Sequence, residues 1–275
     1  MRCGSTTLWE LLGQHEQVFF PSRKELHFFD DRDGDFARGL EWYARHFQAA
    51  PVGSLCGETT PSYIYLPEAC DRIARHLPDC RLIIILRDPV RRAWSHYWYN
   101  CNRGFEPLDF ERALDREPRR LGRGDVRTRI LYSYVGRGHY LEQLKRYEAA
   151  FSRTQLYVLL FDDLIRDPQG TMAAIFTHLG LDVQNESAMT LPTRNQQSHH
   201  PRLPRVQAIA KRYEAWGERS LFARAVRRTA RTALNLNRRP SLPPMRDVTV
   251  ERLVEMFRPG NEALAEWMGR PLPWA

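Results

Sequence analysis

The sequence predicts an α/β protein: a parallel sheet flanked by helices, followed by a helical C-terminal extension. Three observations carry that reading. The runs from Arg81 to Leu86 and from Gln155 to Phe161 are short, apolar and continuous, as strands buried on both faces are. Segments with apolar residues at helical spacing alternate with them, which is the pattern of a parallel sheet. After Leu181 the strand-like runs stop, and the chain becomes arginine-rich and helical.

In chain order, Leu8, Trp9, Leu11 and Leu12 give the apolar face of a helix starting near Ser5 or Thr6. Leu40, Tyr43, Ala44 and Phe47 have helical spacing, as do Ile73, Ala74 and Leu77. The strand ending at Leu86 is followed by Pro89, which opens a helix because its missing N–H is not needed in a first turn. After the strand ending at Phe161, Pro168 opens a helix carrying Met172, Ile175, Phe176 and Leu179. Gly180 ends it. The stretch from Arg194 to Pro204, with His199-His200-Pro201, reads as a polar loop. A helix with Arg224, Arg227, Arg228 and Arg231 follows, then a Pro/Asn/Arg linker from Asn235 to Pro244, then a last helix from about Val248 to Met268. There is no internal repeat. Residues 1–275 read as one domain, with an α/β core over 1–204 and a helical extension over 205–275.

The 275 residues, 43% hydrophobic and 11% aromatic, suffice for a substantial core and exclude a disordered chain. No run approaches the roughly 20 apolar residues of a membrane helix. Lys+Arg number 41 against 33 Asp+Glu, a net charge of +8, yet only Lys24, Lys145 and Lys211 are lysines. The arginine fork suits phosphate, sulfate and carboxylate. Charge alone leaves nucleic acid, a membrane surface and a polyanionic small molecule open, and an Arg-for-Lys bias across a whole chain is also what a biased genome composition produces. Cys3, Cys56, Cys70, Cys80 and Cys101 form no C-x-x-C pair and no Cys/His cluster, so no metal site is expected, and reduced thiols in the cytoplasm are. No secretory signal opens the chain.

Three segments carry chemistry. In Arg2-Cys3-Gly4-Ser5-Thr6-Thr7-Leu8, a glycine followed by hydroxyl residues at a helix start exposes backbone N–H groups, and Arg2 adds a full charge. It is not the G-x-x-x-x-G-K-[ST] loop of nucleotide triphosphatases, and an ordinary capped helix reads the same way. In Leu86-Arg87-Asp88-Pro89-Val90-Arg91-Arg92-Ala93-Trp94-Ser95, Arg87 stands at a strand's carboxyl end, where open α/β sheets bind ligands. Ser95 lies about two turns along the following helix, so Arg87 and Ser95 can grip one phosphate. A surface ion pair with Asp88 is the alternative. In Lys24-Glu25-Leu26-His27-Phe28-Phe29-Asp30, a carboxylate and an imidazole stand two residues apart beside aromatics. If the segment is extended they share a face, and desolvation by Phe28 and Phe29 raises the Glu25 pKa toward the working range. A turn with a Lys–Glu pair and a core histidine is the bland alternative.

Taken together, the three segments resemble the sulfotransferases that use 3′-phosphoadenosine 5′-phosphosulfate, especially the branch related to heparan sulfate sulfotransferases. Arg2-Cys3-Gly4-Ser5-Thr6 stands where that family has K-x-G-T-T, Lys24 to Asp30 matches K-E-x-H-F-F-D, and Leu86 to Ser95 matches L-R-[DN]-P-x-x-R-x-x-S. Glu58-Thr59-Thr60-Pro61-Ser62-Tyr63 is similar to the E-x-[ST]-P-x-Y stretch between them. Gly138-His139-Tyr140, Phe161-Asp162-Asp163-Leu164, Asp167-Pro168 and Leu179-Gly180-Leu181 fall where the family has similar features. The ending Phe257-Arg258-Pro259-Gly260-Asn261, with Gly269-Arg270 and Trp274, is similar to the tails of bacterial members.

The resemblance implies a P-loop-like three-layer domain with a central parallel sheet, and an enzyme that moves a sulfuryl group from 3′-phosphoadenosine 5′-phosphosulfate to a hydroxyl. It implies Glu25 as general base, assisted by His27, with Asp30 holding the geometry. Arg2, Cys3, Gly4, Ser5, Thr6 and Thr7 are expected at the 5′-phosphosulfate, and Arg87 and Ser95 at the 3′-phosphate; these cations make a metal unnecessary. Arg2 replaces a lysine that the family uses against the bridging oxygen, and Arg cannot give up a proton near neutrality. Lys24 is the only nearby lysine, and substitutes only if the fold brings it inward. The family's loop follows a first strand, so a strand upstream of Met1 is expected. A sugar or small metabolite is the expected acceptor. Trp94, Tyr97, Trp98 and Tyr99 are either acceptor-stacking or core residues, and the helix near Arg224–Arg231 either meets an anionic surface or packs on the domain. The rivals are a nucleotide-dependent phosphotransferase, a nucleic-acid-binding module, for which no recognition motif is present, and a member that binds the donor without catalysis.

Overall fold

The computed structural model describes residues 2–122, 124–182, 200–214 and 221–274. Their order is α1 (Ser5–Leu12), β1 (Val18–Phe19), α2 (Gly39–Ala44), β2 (Leu55–Cys56), α3 (Pro67–His76), β3 (Leu82–Leu86), α4 (Pro89–Arg103), α5 (Phe110–Leu121), α6 (Val126–Tyr132), α7 (Tyr140–Ala150), β4 (Leu156–Leu160), α8 (Phe161–Arg166), α9 (Pro168–Leu179), β5 (His200–Pro201), α10 (Pro204–Glu214), α11 (Leu221–Leu236), β6 (Arg238–Arg239) and α12 (Asp247–Met268). The fold is mixed α/β and mostly helical. Among the described residues the strands pair two by two: β1 with β2 and β3 with β4 in parallel, β5 with β6 antiparallel. The chain packs as two compact units, one of Met1–Asp88, His139–Arg194 and Gly260–Ala275, the other of Pro89–Gly138 and Asn195–Pro259.

The first unit is organised by the β3–β4 pair, in which Leu82 lies opposite Leu156 and Leu86 opposite Leu160. Side chains alternate across a strand, and here both faces are covered. Ile83, Ile85 and Leu159 meet Leu8, Leu11 and Leu12 of α1 and Met172, Ile175 and Phe176 of α9. Ile84, Leu86 and Leu160 meet Tyr140 and Leu144 of α7 and Leu264 and Leu272. That explains why the strands carry no polar alternation: helices pack on both faces, and every strand residue is buried or half-buried. Truncating a buried leucine such as Leu11 or Leu144 to Ala costs about 2–5 kcal/mol in such a core. The helix stops are local. Pro168 fills the first turn of α9, the Asp167 carboxylate accepts from the Gly170 N–H, and Gly180 turns the chain at φ 70°.

In the second unit, Ala93, Tyr97, Trp98 and Cys101 of α4 pack with Phe110, Ala113 and Leu114 of α5, Tyr134, Leu253 and Phe257, and Trp94 closes against the same cluster. Three of the four aromatics are thus core; Tyr99 is half-buried beneath the Arg103 guanidinium. Glu117, buried, accepts N–H bonds from Tyr134, Val135 and Gly136, and Glu106 pairs with Arg120. Helix α11 packs on α10 through Ala230, Leu234 and Ala210, and leaves Arg228 and Arg231 exposed, as a packed amphipathic helix does. The expected linker is shorter than predicted. Helix α11 runs to Leu236, and Arg238–Arg239 pair with His200–Pro201, two residues of the expected loop. The rest of that loop up to His199 lies outside the described residues.

Candidate active site

The first predicted segment forms the N-terminal end of α1. Gly4 is its N-cap, at φ 90° and ψ 12°, and no side chain caps it, so the first-turn N–H groups of Ser5, Thr6 and Thr7 point out of the helix end. Two constraints require glycine at position 4. The left-handed φ is one. The other is space: a Cβ there would lie 2.4 Å from Phe161 Cδ2, at the start of α8, with Ile85 Cδ1 of β3 at 3.5 Å. The loop therefore rests on the carboxyl ends of the two parallel strands. Arg87, the residue after β3, reaches the same place. Its Nη1 donates to the Arg2 carbonyl at 3.1 Å, its guanidinium lies 5.1 Å from the Phe161 ring centre, and Tyr140 Oη donates to its own carbonyl at 2.7 Å. Ser95 is half-buried on α4 and belongs to the second unit, so it is located by its helix alone.

The Lys24–Asp30 segment meets this helix end from the side. Lys24 Nζ donates to Thr6 Oγ1 at 2.5 Å and stands 5.7 Å from the centre of the Trp9 ring. The segment is not extended, contrary to the condition set above: Glu25 and His27 hold φ values of 60° and 56°. They still converge, with His27 Nε2 3.6 Å from Glu25 Oε2, because two left-handed residues curl the loop around a shared centre. His27 Nδ1 lies 2.8 Å from Asp30 Oδ2, which also accepts from the Ser62 hydroxyl. Arg32 Nη1 lies 2.5 Å from His27 Nε2, the ring nitrogen that also faces Glu25.

Electrostatics follow from these contacts. Burial works to raise the Glu25 pKa, but the hydrogen bond and charge of His27 and the Lys24 ammonium outweigh it, and the carboxyl is held below its ordinary value. The expected upward shift is therefore reversed; the desolvation is present, and the cations beside it win. Burial works to lower His27, and the hydrogen bonds to Asp30 and Glu25 hold it above its ordinary value. Asp30, with under 2% of its surface exposed, is held down by His27 and Ser62 against the effect of its own burial. Burial lowers Lys24, with Glu25 and Glu10 offsetting only part of it.

The supporting residues come from the Glu58–Tyr63 stretch, which sequence reasoning noted only as a family-like feature. Thr60 Oγ1 accepts the His27 N–H at 3.3 Å and donates to Glu58 Oε2 at 2.9 Å. Tyr63 Oη accepts the Phe29 N–H, and Arg72 Nη1 donates to the Phe29 carbonyl at 2.9 Å. Phe28 and Phe29 are buried edge-to-face, 5.0 Å apart, and anchor the loop. Arg32 and Arg72 were missed altogether; neither falls in a motif.

An α/β fold with an amide-lined helix end and cations at the carboxyl ends of its strands is chemically suited to an anionic ligand. Comparison with known proteins narrows the class: the sulfotransferase domain model matches residues 1–200, and the chain belongs to that family. Heparan sulfate glucosamine 3-O-sulfotransferase 3B1 of Homo sapiens is 32% identical over 178 residues, covering 65% of this chain and 43% of that protein. Membrane-associated sulfotransferase kil1 of Dictyostelium discoideum is 38% identical over 118 residues, 40% of this chain and 24% of its own. The chain thus spans less than half the length of these curated relatives. The crystal structure of a sulfotransferase from Alicyclobacillus acidocaldarius superimposes with a TM-score of 0.72 at 24% identity, over 98% of this chain and 93% of that one, which establishes the shared fold. No described helix is long and apolar enough to cross a membrane.

Proposed function

We propose that the chain, acting as one sulfotransferase domain, transfers a sulfuryl group from 3′-phosphoadenosine 5′-phosphosulfate to a hydroxyl of a carbohydrate or small metabolite in the cytoplasm. One observation carries the reading. Consecutive residues tie an anion cradle to an acid–base group: Lys24 touches Thr6 at the helix end, and Glu25, next to it, is backed by His27 and Asp30. The donor supplies an electrophilic sulfuryl group on a good leaving group. The residues present suit it, since Lys24 reaches the α1 end through Thr6, Arg87 reaches the loop before it through the Arg2 carbonyl, and no side chain caps that helix end.

Within this reading Glu25 takes the proton of the acceptor hydroxyl. A carboxylate held below its ordinary pKa stays ionised at neutral pH, so it is always in the basic form, at some loss of proton affinity. His27 and Asp30 hold Glu25 in place. Arg2, with the amides and hydroxyls from Cys3 to Thr7, holds the 5′-phosphosulfate and stabilises the charge that develops on departure. Arg87 holds the 3′-phosphate, which separates this donor from ATP; Ser95 is assigned to the same group by the family resemblance alone. The resemblance to glycan sulfotransferases favours a sugar hydroxyl as acceptor.

The test is release of adenosine 3′,5′-bisphosphate from the donor in the presence of a panel of hydroxyl acceptors. Glu25→Gln should lower turnover by about 10²-fold or more while bisphosphate affinity stays within error. Unchanged turnover removes Glu25 as the base.

A further inference from the structure

The cations that meet the α1 end differ in kind. Arg2 and Arg87 carry permanent charge and cannot release a proton near neutrality. Lys24 can, and it is one of three lysines in the chain. Its Nζ is within 2.5 Å of Thr6 Oγ1, in the first turn of α1, rather than in solvent. The Trp9 ring lies under it, and Glu25 and Glu10 are the carboxylates that face it. Half burial disfavours its charged form, so its proton is held less tightly than that of an exposed lysine.

We propose that Lys24 is a catalytic residue of the donor site: its ammonium contacts the bridging oxygen of the phosphosulfate and gives that oxygen its proton as the S–O bond breaks. The assignment rests on the sulfuryl-transfer reading above. In the balanced step the acceptor oxygen forms its bond to sulfur, Glu25 removes the acceptor proton, and the electron pair of the broken S–O bond stays on the bridging oxygen. Lys24 Nζ protonates that oxygen and is left neutral; Glu25 and Lys24 then return to their starting states by proton exchange with solvent. Thr6, hydrogen-bonded to Nζ, aims the ammonium along the helix end.

The chain's small lysine count makes a direct test possible. In protein labelled with [ε-13C]lysine, three resonances are expected, and the one lost in Lys24→Met belongs to Lys24. It should titrate below the ordinary lysine value of 10.5 and move on addition of adenosine 3′,5′-bisphosphate, while the other two stay. Calorimetry at about pH 9, where phosphate no longer titrates, should show proton uptake on bisphosphate binding by the native chain and none by Lys24→Met. Acceptor-independent hydrolysis of the donor should fall about tenfold or more in Lys24→Met. Lys24→Arg should regain bisphosphate affinity without regaining hydrolysis. If the Lys24 resonance ignores the bisphosphate, or Lys24→Arg hydrolyses the donor as fast as the native chain, Lys24 is not the proton donor. A native chain that binds no bisphosphate removes the donor-site reading as well, whereas binding without a Lys24 response removes this assignment alone.

Discussion

Glu25 and His27 sit in left-handed backbone, which is uncommon for residues other than glycine. The non-glycine residues with positive φ among those described are Arg2 (66°), Glu25 (60°), His27 (56°) and Asp31 (55°), and all lie in or beside the two loops of the site. Each such residue costs roughly 1–2 kcal/mol, and the strain persists because Thr60, Tyr63, Arg72 and the Phe28–Phe29 pair hold the loop. Its return is convergence, a carboxylate and an imidazole two residues apart meeting at 3.6 Å. His27→Asn tests their coupling, since asparagine tolerates left-handed φ but brings no cation. The Glu25 carboxyl should then titrate closer to its ordinary 4.5, and the acid limb of the kcat/KM profile should move up in pH. A limb that stays put would mean that His27 does not act on Glu25.

At the scale of elements, the register between α1 and the strand ends is set by one missing side chain. Gly4→Ala drives a Cβ into the Phe161 ring and adds a methyl at φ 90°, so α1 or the ring must shift. We expect a loss of about 1–3 kcal/mol, read as a lower Tm, and loss of bisphosphate binding. An unshifted Tm would show that the helix end is looser than described. The starts of α1, α4 and α9, the stop at Gly180 and the β3 and β4 runs were legible because each rests on a local signal: glycine, proline, or a continuous apolar run. The two-residue strands β1, β2, β5 and β6 were not, since two residues carry no period. The site divides along the same line. Glu25, His27, Asp30 and Arg87 fall in motifs, but Thr60 and Ser62 act on residues 32 to 35 positions away, and the curl at Glu25 and His27 opposes local preference. The downward shift of Glu25 was misread because the sequence displays its aromatic neighbours, not the charges folded against it.

For the whole molecule, the same site couples folding to pH. Asp30 and Glu25 are held below their ordinary values of 3.8 and 4.5, so their contribution is present above those values and lost as pH falls through the depressed ones. His27 is held above its ordinary 6.5, so its contribution is present below 6.5 and lost as pH rises through the raised value. The site therefore stabilises the fold most between pH 4.5 and 6.5. Asp30→Asn should flatten the Tm-against-pH curve on both sides of that window. A parallel curve displaced downward would place the coupling elsewhere.

The donor site itself is tested most directly by thermal stabilisation of the chain with adenosine 3′,5′-bisphosphate, set against ADP and ATP with magnesium. At about a hundred times its dissociation constant a ligand adds roughly 2.7 kcal/mol, a rise of several degrees at this chain length. The bisphosphate alone should produce that rise, and Arg87→Ala should abolish its advantage over ADP. Equal stabilisation by ADP, or none by the bisphosphate, would contradict a 3′-phosphoadenosine donor.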